Sequence, residues 1–294
     1  MMNFRKAATA AGLVLGIVTG LVGPAAADVP AAIKERGKVL IAIDVSHPPY
    51  GMLDSQARET GSDVETAKLL AEDMGVALEI VPVSGANRVP SLLSRKVDMV
   101  IASFSITEER KKVIDYSRPY GVIPVVISAP QDMGIAAPAD LAGQALAVAR
   151  GTTADIELSR IVKESGVNAR IVRYEDEATT NTAVATGQQK ILAAALSTAN
   201  EVSEQNPGLN LEVKLDMAAY PMAVGLRKGD DELKAWVDEW VGQNLENGKL
   251  NAIYEKYFHQ PCPTSSPKAE IACRCRARPG PATRHITQVD RNSP

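Results

Sequence analysis

The feature that most constrains the fold is a repeated alternation of short apolar runs with apolar residues at helical spacing. In the first half of the chain this pattern predicts the strand Val39–Ile43, a helix from Val64 to Met74 closed by Gly75, the strand Leu78–Val81, a short helix marked by Val89, Leu92 and Leu93, and the strand Val97–Ile101. A β-α-β-α-β order predicts a largely parallel sheet with helices on its faces.

A second unit of the same kind follows without a linker. Its predicted elements are a short helix and cap at Asp140–Gly143, the strands Ala145–Ala149, Ala169–Tyr174 and Ile191–Ala195, the helices Asp155–Ser165 and Ala178–Thr186, then the strand Met222–Leu226 and the helices Asp230–Glu246 and Leu250–Phe258. Two α/β units of similar size predict two lobes that face a cleft, where small ligands bind. We assign 28–124 plus 222–260 to lobe 1 and 125–221 to lobe 2.

The N-terminal residues are typical of an export signal. Two basic residues precede an apolar run over residues 7–22, and the small residues Ala25–Ala27 follow. We therefore predict a signal peptide over residues 1–27, cleaved near Ala27, and a periplasmic mature protein. The alternative is an uncleaved anchor, but the run is shorter than the roughly 20 residues that a span needs. A net charge of −3 gives no reason to expect a nucleic-acid partner.

The C-terminal residues 261–294 differ from the rest of the chain. They are basic, rich in Pro, Ser and Thr, lack apolar periodicity, and carry all three cysteines, so we expect disorder there. Cys273, Cys275 and His285 raise the question of a metal, but their spacing matches no zinc pattern. With Cys262, an odd count outside the cytoplasm favours a disulfide plus a spare thiol. The sequence predicts no metal site and no cofactor.

The densest polar cluster is Ser103–Arg110, which follows a predicted strand. Thr107 suits a helix N-cap, but a cation at the third helical position, Arg110, opposes the helix dipole and needs another reason to be there. A carboxylate ligand supplies one, because a guanidinium binds a carboxylate through two parallel hydrogen bonds and nearby hydroxyls add donors. The alternative is that Arg110 pairs with Glu109 or Asp115 on a solvated face.

A second polar cluster, Arg150–Asp155, again lies between a predicted strand and a predicted helix. Gly151 permits a close backbone approach, and Thr152 or Thr153 can cap the helix or hydrogen-bond an anion. Because there is one such cluster in each unit, we predict that a single carboxylate joins both clusters and draws the lobes together.

One stretch of the chain matches a known sequence pattern, and four more resemble patterns that accompany it. They are Ser103–Arg110 against S-x-S-I-T-x-x-R, Asp115–Tyr120 against D-F-S-x-P-Y, Gly61–Ala67 against G-x-D-V-D-x-A, His47–Tyr50 against Y-x-P-F, and Gly151–Thr153 against a second-lobe ligand loop. Over roughly residues 32–260 the chain resembles family 3 of the bacterial extracellular solute-binding proteins, the polar amino-acid-binding subunits of ABC importers. The resemblance implies an α/β fold of periplasmic-binding-protein type II, with two lobes, a two-strand hinge and a ligand cleft.

The resemblance also implies which residues contact the ligand. Arg110, helped by Ser105 and Thr153, is expected to bind the α-carboxylate, with Thr152 in the same loop. Ser103 is expected to meet the amino group.

Three further residues concern the ligand's side chain and charge. His47 and Tyr50 are expected to flank the side chain, although a histidine here can equally be a packing residue. Arg88 either points into the cleft, where it favours an acidic side chain, or lies on a helix surface.

Many relatives carry an aspartate for the ligand's ammonium on a second-lobe strand, and here the aligned residue is Ala195. Either another acid replaces it, or the ligand is not a standard α-amino acid, or the second lobe binds weakly.

The function that the resemblance implies is capture of an amino acid or related small carboxylate in the periplasm. The expected partners are this ligand and the membrane permease of an ABC importer, with the binding protein a monomer and not an enzyme. One alternative is an enzyme like the cyclohexadienyl dehydratases, which needs a general acid such as His47 or Glu65. The other is a ligand-sensing adaptor of a separate receptor.

Overall fold

A computed structural model describes residues 30–259 and 261 of the chain. The strands of this part are β1 (Lys38–Ile43), β2 (Met52–Leu53), β3 (Glu59–Thr60), β4 (Ala77–Pro82), β5 (Met99–Val100), β6 (Ile114–Tyr116), β7 (Gly121–Pro130), β8 (Ala145–Ala149), β9 (Arg170–Tyr174), β10 (Ile191–Ala195), β11 (Leu211–Met222) and β12 (Gly225–Arg227). The predicted signal peptide and the cysteines at 262, 273 and 275 lie outside the described residues.

Helices connect most of these strands. The α-helices are α1 (Ala31–Arg36), α2 (Ser62–Met74), α3 (Arg88–Leu93), α4 (Glu108–Lys111), α5 (Thr153–Ser165), α6 (Glu177–Ala185), α7 (Leu196–Gln205), α8 (Asp231–Glu246) and α9 (Lys249–Phe258), with short 3₁₀ turns at Pro138–Leu141 and Pro207–Leu209. Within the described chain, no helix combines the length and the apolar character needed to cross a bilayer.

The strands form two five-stranded sheets and a small β2–β3 ribbon. The first sheet has the order β4-β1-β5-β12-β6, and the second has the order β11-β7-β10-β8-β9. β1 is parallel to β4 and β5, and β8 is parallel to β9 and β10, as the sequence predicts for chain units of alternating strands and helices. The antiparallel strands β7, β11 and β12 lie where the chain passes between the sheets.

Two segments connect the sheets. The chain leaves the first sheet after β6 to enter β7, and it returns from the end of β11 into β12. β7 and β11 are antiparallel neighbours from Gly121 opposite Met222 to Pro130 opposite Leu211. At the crossing, the backbone N–H of Tyr120 donates to the carbonyl of Met222 over 2.9 Å. These adjacent crossings form the two-strand hinge that the family resemblance implies.

Most predicted elements are confirmed, and their ends have local causes. α2 ends at Gly75, whose φ of 70° is easy for glycine, and Trp236 and Trp240 pack into the core with stacked rings. Two predictions were wrong in extent. The strand expected at Val97–Ile101 is limited to Met99–Val100, which is β5. The stretch expected as one strand at Met222–Leu226 is divided, because β11 ends at Met222 and β12 begins at Gly225.

The hinge strand β7, helix α7 and most of β11 were not predicted. β7 contains Pro124 and β11 contains Pro221, and proline inside an apolar run argues against a strand in a sequence reading. β11 is also half-buried along its length and so lacks a clear alternation of apolar and polar residues. These elements are specified by their pairing with each other rather than by local pattern.

Candidate ligand cleft

The facing edges of the two lobes touch at two glycines. A Cβ atom placed on Gly151 would lie 2.8 Å from the Cα of Ala86, and one placed on Gly85 would lie 2.8 Å from the carbonyl oxygen of Arg150. Gly151 also has a φ of +75°, which disfavours any residue with a side chain. The closed arrangement therefore depends on the absence of side chains at this contact.

Arg110 lies at this contact and is 8% exposed. Its guanidinium donates to the carbonyl of Ser105 over 3.0 Å and, across the lobes, to the carbonyl of Gly151 over 3.1 Å. The group also stacks on the Phe104 ring, 4.6 Å from its centroid. Burial lowers the pKa of Arg110 to about 10, so the side chain stays charged at neutral pH.

No carboxylate of the described residues forms an ion pair with Arg110. The alternative of a partner at Glu109 or Asp115 on a solvated face is wrong, since Glu109 pairs with Lys112, Arg110 forms no ion pair with Asp115, and Arg110 is buried. Thr107 caps α4 as predicted, accepting the backbone N–H of Arg110 over 3.2 Å. A buried cation that meets carbonyls, the Tyr116 hydroxyl and a ring but no carboxylate of the described residues is suited to an anionic ligand.

The second-lobe loop before α5 meets the first lobe through hydroxyl groups. Thr153 and Ser105 are hydrogen-bonded through their hydroxyls at 3.1 Å. Thr152 is the N-cap of α5, accepting the backbone N–H of Asp155 over 3.2 Å and donating to the carbonyl of Ala149 over 2.9 Å. Thr153 therefore joins the other lobe by a hydrogen bond, whereas the Thr152 hydroxyl caps the helix and its methyl group faces Gly85 of the first lobe.

Ser103 adopts an unusual backbone conformation directly after β5. Its φ is +43°, the left-handed region that residues with a side chain rarely occupy. The buried Asp63 carboxylate stabilises this conformation by accepting the Ser103 backbone N–H over 2.6 Å. Burial raises the pKa of Asp63 to about 7, opposed by this hydrogen bond. The result is that the Ser103 hydroxyl lies 3.0 Å from Nδ1 of His47.

His47 is buried between the lobes. Its Nδ1 meets the Ser103 hydroxyl, and its Nε2 lies 2.8 Å from the hydroxyl of Thr198 in α7. Burial lowers the pKa of His47 to about 4, so the ring is neutral at physiological pH. Tyr50 packs against the His47 ring, with centroids 4.8 Å apart, and accepts a hydrogen bond from Ser197 over 3.0 Å. Both side chains belong to the first lobe and form a hydrogen bond with a residue of the second lobe.

Arg88 is buried rather than on a helix surface, with 2% exposure. Its guanidinium donates to the buried Asp44 carboxylate over 3.0 Å, and its Nε has no hydrogen-bond partner. Burial alone would raise the pKa of Asp44, but Arg88, with His47 and Ser46, holds it below its ordinary value. The charge of Arg88 is therefore already neutralised, which weakens the expectation that it selects an acidic ligand side chain.

The sequence analysis missed several residues of the cleft. Asp44 directly follows β1, and Glu177 begins α6 after β9, both at the carboxyl ends of parallel strands. That position is where ligands bind in α/β sheets, and it is the signal that could have found them. Thr198, near the start of α7, had no such signal because α7 itself was not predicted. Glu65 lies elsewhere, 2.6 Å from the Tyr257 hydroxyl and from the Lys256 ammonium on α9.

Metal ligation is not evident in the part of the chain that the structure describes. Within it, no three His, Cys, Asp or Glu side chains are grouped as a metal site requires. The cleft instead combines hydroxyls, a buried cation and buried carboxyl groups. Such chemistry suits recognition of a small polar molecule by hydrogen bonds and charge.

The two hinged lobes and the polar cleft between them define the class of solute-binding proteins with the type II fold. A family profile described as "Bacterial extracellular solute-binding proteins, family 3" matches residues 39–260. The chain belongs to this family.

Individual relatives agree with this assignment. The L-cystine-binding protein TcyJ of Escherichia coli (strain K12) is 30% identical over 229 residues, covering 77% of this chain and 84% of the relative. The L-arginine-binding protein of Pseudomonas aeruginosa is 28% identical over 228 residues, covering 75% and 87%. The crystal structure of the solute receptors for L-cysteine of Neisseria gonorrhoeae has a TM-score of 0.72 and 32% identity, covering 78% of this chain and 92% of that chain.

Proposed function

We propose that the protein captures a free amino acid or a related small carboxylate between its lobes and presents it to the membrane permease of an ABC importer. In this proposal Arg110 binds the ligand's carboxylate, and the Ser105 and Thr153 hydroxyls add hydrogen bonds from the two lobes. Closure around the ligand creates the form that the permease recognises.

The observation that carries the proposal is the buried guanidinium of Arg110 without an ion-pair partner among the described residues. Burying a charge is costly unless an opposite charge or strong hydrogen bonds compensate it. The two carbonyl acceptors, of Ser105 and Gly151, compensate part of this cost. A ligand carboxylate would compensate the rest and would join the two lobes at the same point.

The relatives support an amino acid as the ligand class. Their names report L-cystine, L-arginine and L-cysteine, which share the α-amino and α-carboxylate groups and differ in the side chain. The common recognition is thus expected at the Arg110 end of the cleft, and the choice of side chain near His47 and Tyr50. Export to the periplasm, with cleavage near Ala27, belongs to the same proposal.

The ligand is identified by a thermal-shift screen of the standard L-amino acids and L-cystine. A compound that binds only the folded state raises the melting temperature. Calorimetry on Arg110→Met should then give an affinity about 30-fold to several thousand-fold lower, as for a buried charge pair that loses one partner. Arg160→Met, which removes a half-exposed guanidinium on α5, is the matched control and should bind as the wild type does. Unchanged affinity in Arg110→Met would reject the proposed role.

We further propose that the protein is a receptor and not an enzyme. The two candidate general acids are poorly suited to that role: His47 is held neutral between Ser103 and Thr198, and Glu65 faces α9. Incubation with prephenate or arogenate should release no aromatic product. Loss of solute uptake in cells that lack the protein distinguishes a transport receptor from a sensing adaptor.

A further inference from the structure

A buried carboxyl group in the second lobe has no cationic partner among the described residues. Glu177, the first residue of α6, is 2% exposed. Its Oε1 lies 3.7 Å from Nε2 of His47 in the other lobe, and its Oε2 has no hydrogen-bond partner. An unsatisfied buried carboxyl oxygen is costly and calls for an explanation.

The charged and titratable groups around Glu177 do not supply the missing partner. His47 faces it but is neutral, and Arg88 is bound to Asp44. Asp44 and the N-cap residue Asp176 add negative charge. Burial, reinforced by those two carboxylates, raises the pKa of Glu177 to about 8, although the charge of Arg88 partly opposes the rise.

Glu177 and Arg110 are each linked to the segment 103–105 of the first lobe, Arg110 directly and Glu177 through His47. Arg110 donates to the carbonyl of Ser105, and Ser103, two residues earlier, contacts His47, which is the neighbour of Glu177. Among the described residues, the interface between the lobes therefore contains a buried cation without a carboxylate partner and a buried carboxyl group with one oxygen unpartnered. This arrangement is the complement of a zwitterion.

The position of Glu177 is also consistent with the presence of Ala195 where many relatives carry an aspartate. Ala195 ends β10, at the place where the family resemblance leads us to expect an aspartate. α6 packs against β10 and β8, so a side chain from its first turn can serve the same region of the cleft from a neighbouring element.

We propose that Glu177 binds the α-ammonium group of the ligand, in place of the carboxylate that is missing at position 195. The proposal rests on the proposed function, and it specifies the ligand as an α-amino acid rather than any small carboxylate. The ammonium would donate to the unpartnered Oε2, while Arg110 binds the carboxylate.

The first test uses the wild-type protein and pairs of probes that differ only at the α-position: L-alanine and L-lactate, L-glutamate and L-2-hydroxyglutarate, L-phenylalanine and L-3-phenyllactate, L-arginine and L-argininic acid. At least one amino acid should bind 30-fold or more tightly than its hydroxy acid, the loss expected when a buried charge is left unpaired. If every hydroxy acid binds as well as its amino acid, or no amino acid in the set binds, the proposal is overturned.

The second test uses Glu177→Gln, which keeps the shape and removes the charge. The affinity for the discriminated amino acid should fall about 30-fold or more, while the affinity for its hydroxy acid stays the same. Glu164→Gln, an exposed carboxylate on α5, is the control and should change neither. An equal loss for both probes, or no loss, contradicts the proposal.

The two proposals fail in different ways. If Arg110→Met abolishes binding of both probe types while Glu177→Gln binds normally, the carboxylate site stands and the ammonium site is rejected. Circular dichroism shows whether Glu177→Gln is folded, and if it is not, the wild-type probe pairs still decide the question.

Discussion

Two buried arginines of the first lobe, Arg88 and Arg110, have opposite surroundings. Arg88 donates to the buried carboxylate of Asp44, so its charge is compensated inside the protein. Arg110 meets carbonyl groups and the Phe104 ring but no carboxylate of the described residues. The charge of one guanidinium is therefore compensated by the fold, whereas the other has no counter-charge among the described residues.

This difference predicts that Arg88 contributes to the stability of the fold and that Arg110 contributes to binding. Removing one member of a compensated pair leaves an isolated charge and damages the fold. Removing a cation that has no counter-charge costs the fold little, because the desolvation penalty disappears together with the hydrogen bonds. Sequence position does not distinguish the two, since both arginines lie in the first turn or two of a short helix after a loop.

The largest effect is expected for Arg88→Met. The change leaves the Asp44 carboxylate buried without its cation, so the free energy of unfolding should fall by about 3–5 kcal/mol. Urea denaturation of the ligand-free protein measures it. A loss under about 1 kcal/mol would mean that Asp44 is compensated by Ser46 and His47 and that the contrast between the arginines is false.

The next effect concerns the contact that closes the cleft. Gly151→Ala should weaken binding roughly tenfold, about 1.4 kcal/mol, because the new methyl group meets Ala86 only when the lobes are together. Gly166→Ala is the control: its φ of +66° carries a similar backbone strain, of roughly 1–2 kcal/mol, but nothing lies within 4 Å of the added atom. Equal affinities in the two variants would place the lobe contact elsewhere.

A smaller effect is expected for the stability of Arg110→Met. Although this variant should lose binding, its free energy of unfolding without ligand should stay within about 1 kcal/mol of the wild type. The Ser105 carbonyl keeps the Tyr116 hydroxyl as a donor at 3.1 Å, which limits the loss. A decrease as large as that of Arg88→Met would make Arg110 a structural residue.

A pH dependence of the stability is expected from Glu177, because unfolding returns this buried carboxyl group to water. The folded-state pKa is about 8, above the ordinary 4.5. The stability contribution is therefore complete below pH 4.5 and is lost as the pH rises through 8. The melting temperature of Glu177→Gln minus that of the wild type should therefore increase as the pH is raised from 5 to 8.5. A constant difference would show that Glu177 is ionised throughout.

Much of this protein follows from its sequence. The βαβ units, the helix ends at Gly75 and Thr107, and the two hydroxyl-rich loops at 103–110 and 150–155 all depend on contacts within a few residues, which a sequence displays directly. The pairing of Ser105 with Thr153 and the approach of Arg110 to Gly151 follow once the two units are assumed to face each other. The hinge strands β7 and β11 did not follow, because residues about 90 positions apart specify them.

The sequence by itself does not determine which buried charges are compensated by a partner. The chain fixes which residues carry charge and, through local pattern, which strand or helix presents each of them. Only the tertiary structure decides that Asp44 reaches Arg88, that Arg110 meets no carboxylate of residues 30–259, and that Glu177 is buried opposite His47. The physical reason is that the energy of a charge depends on its solvent exposure and its neighbours, and both arise from residues distant in the chain.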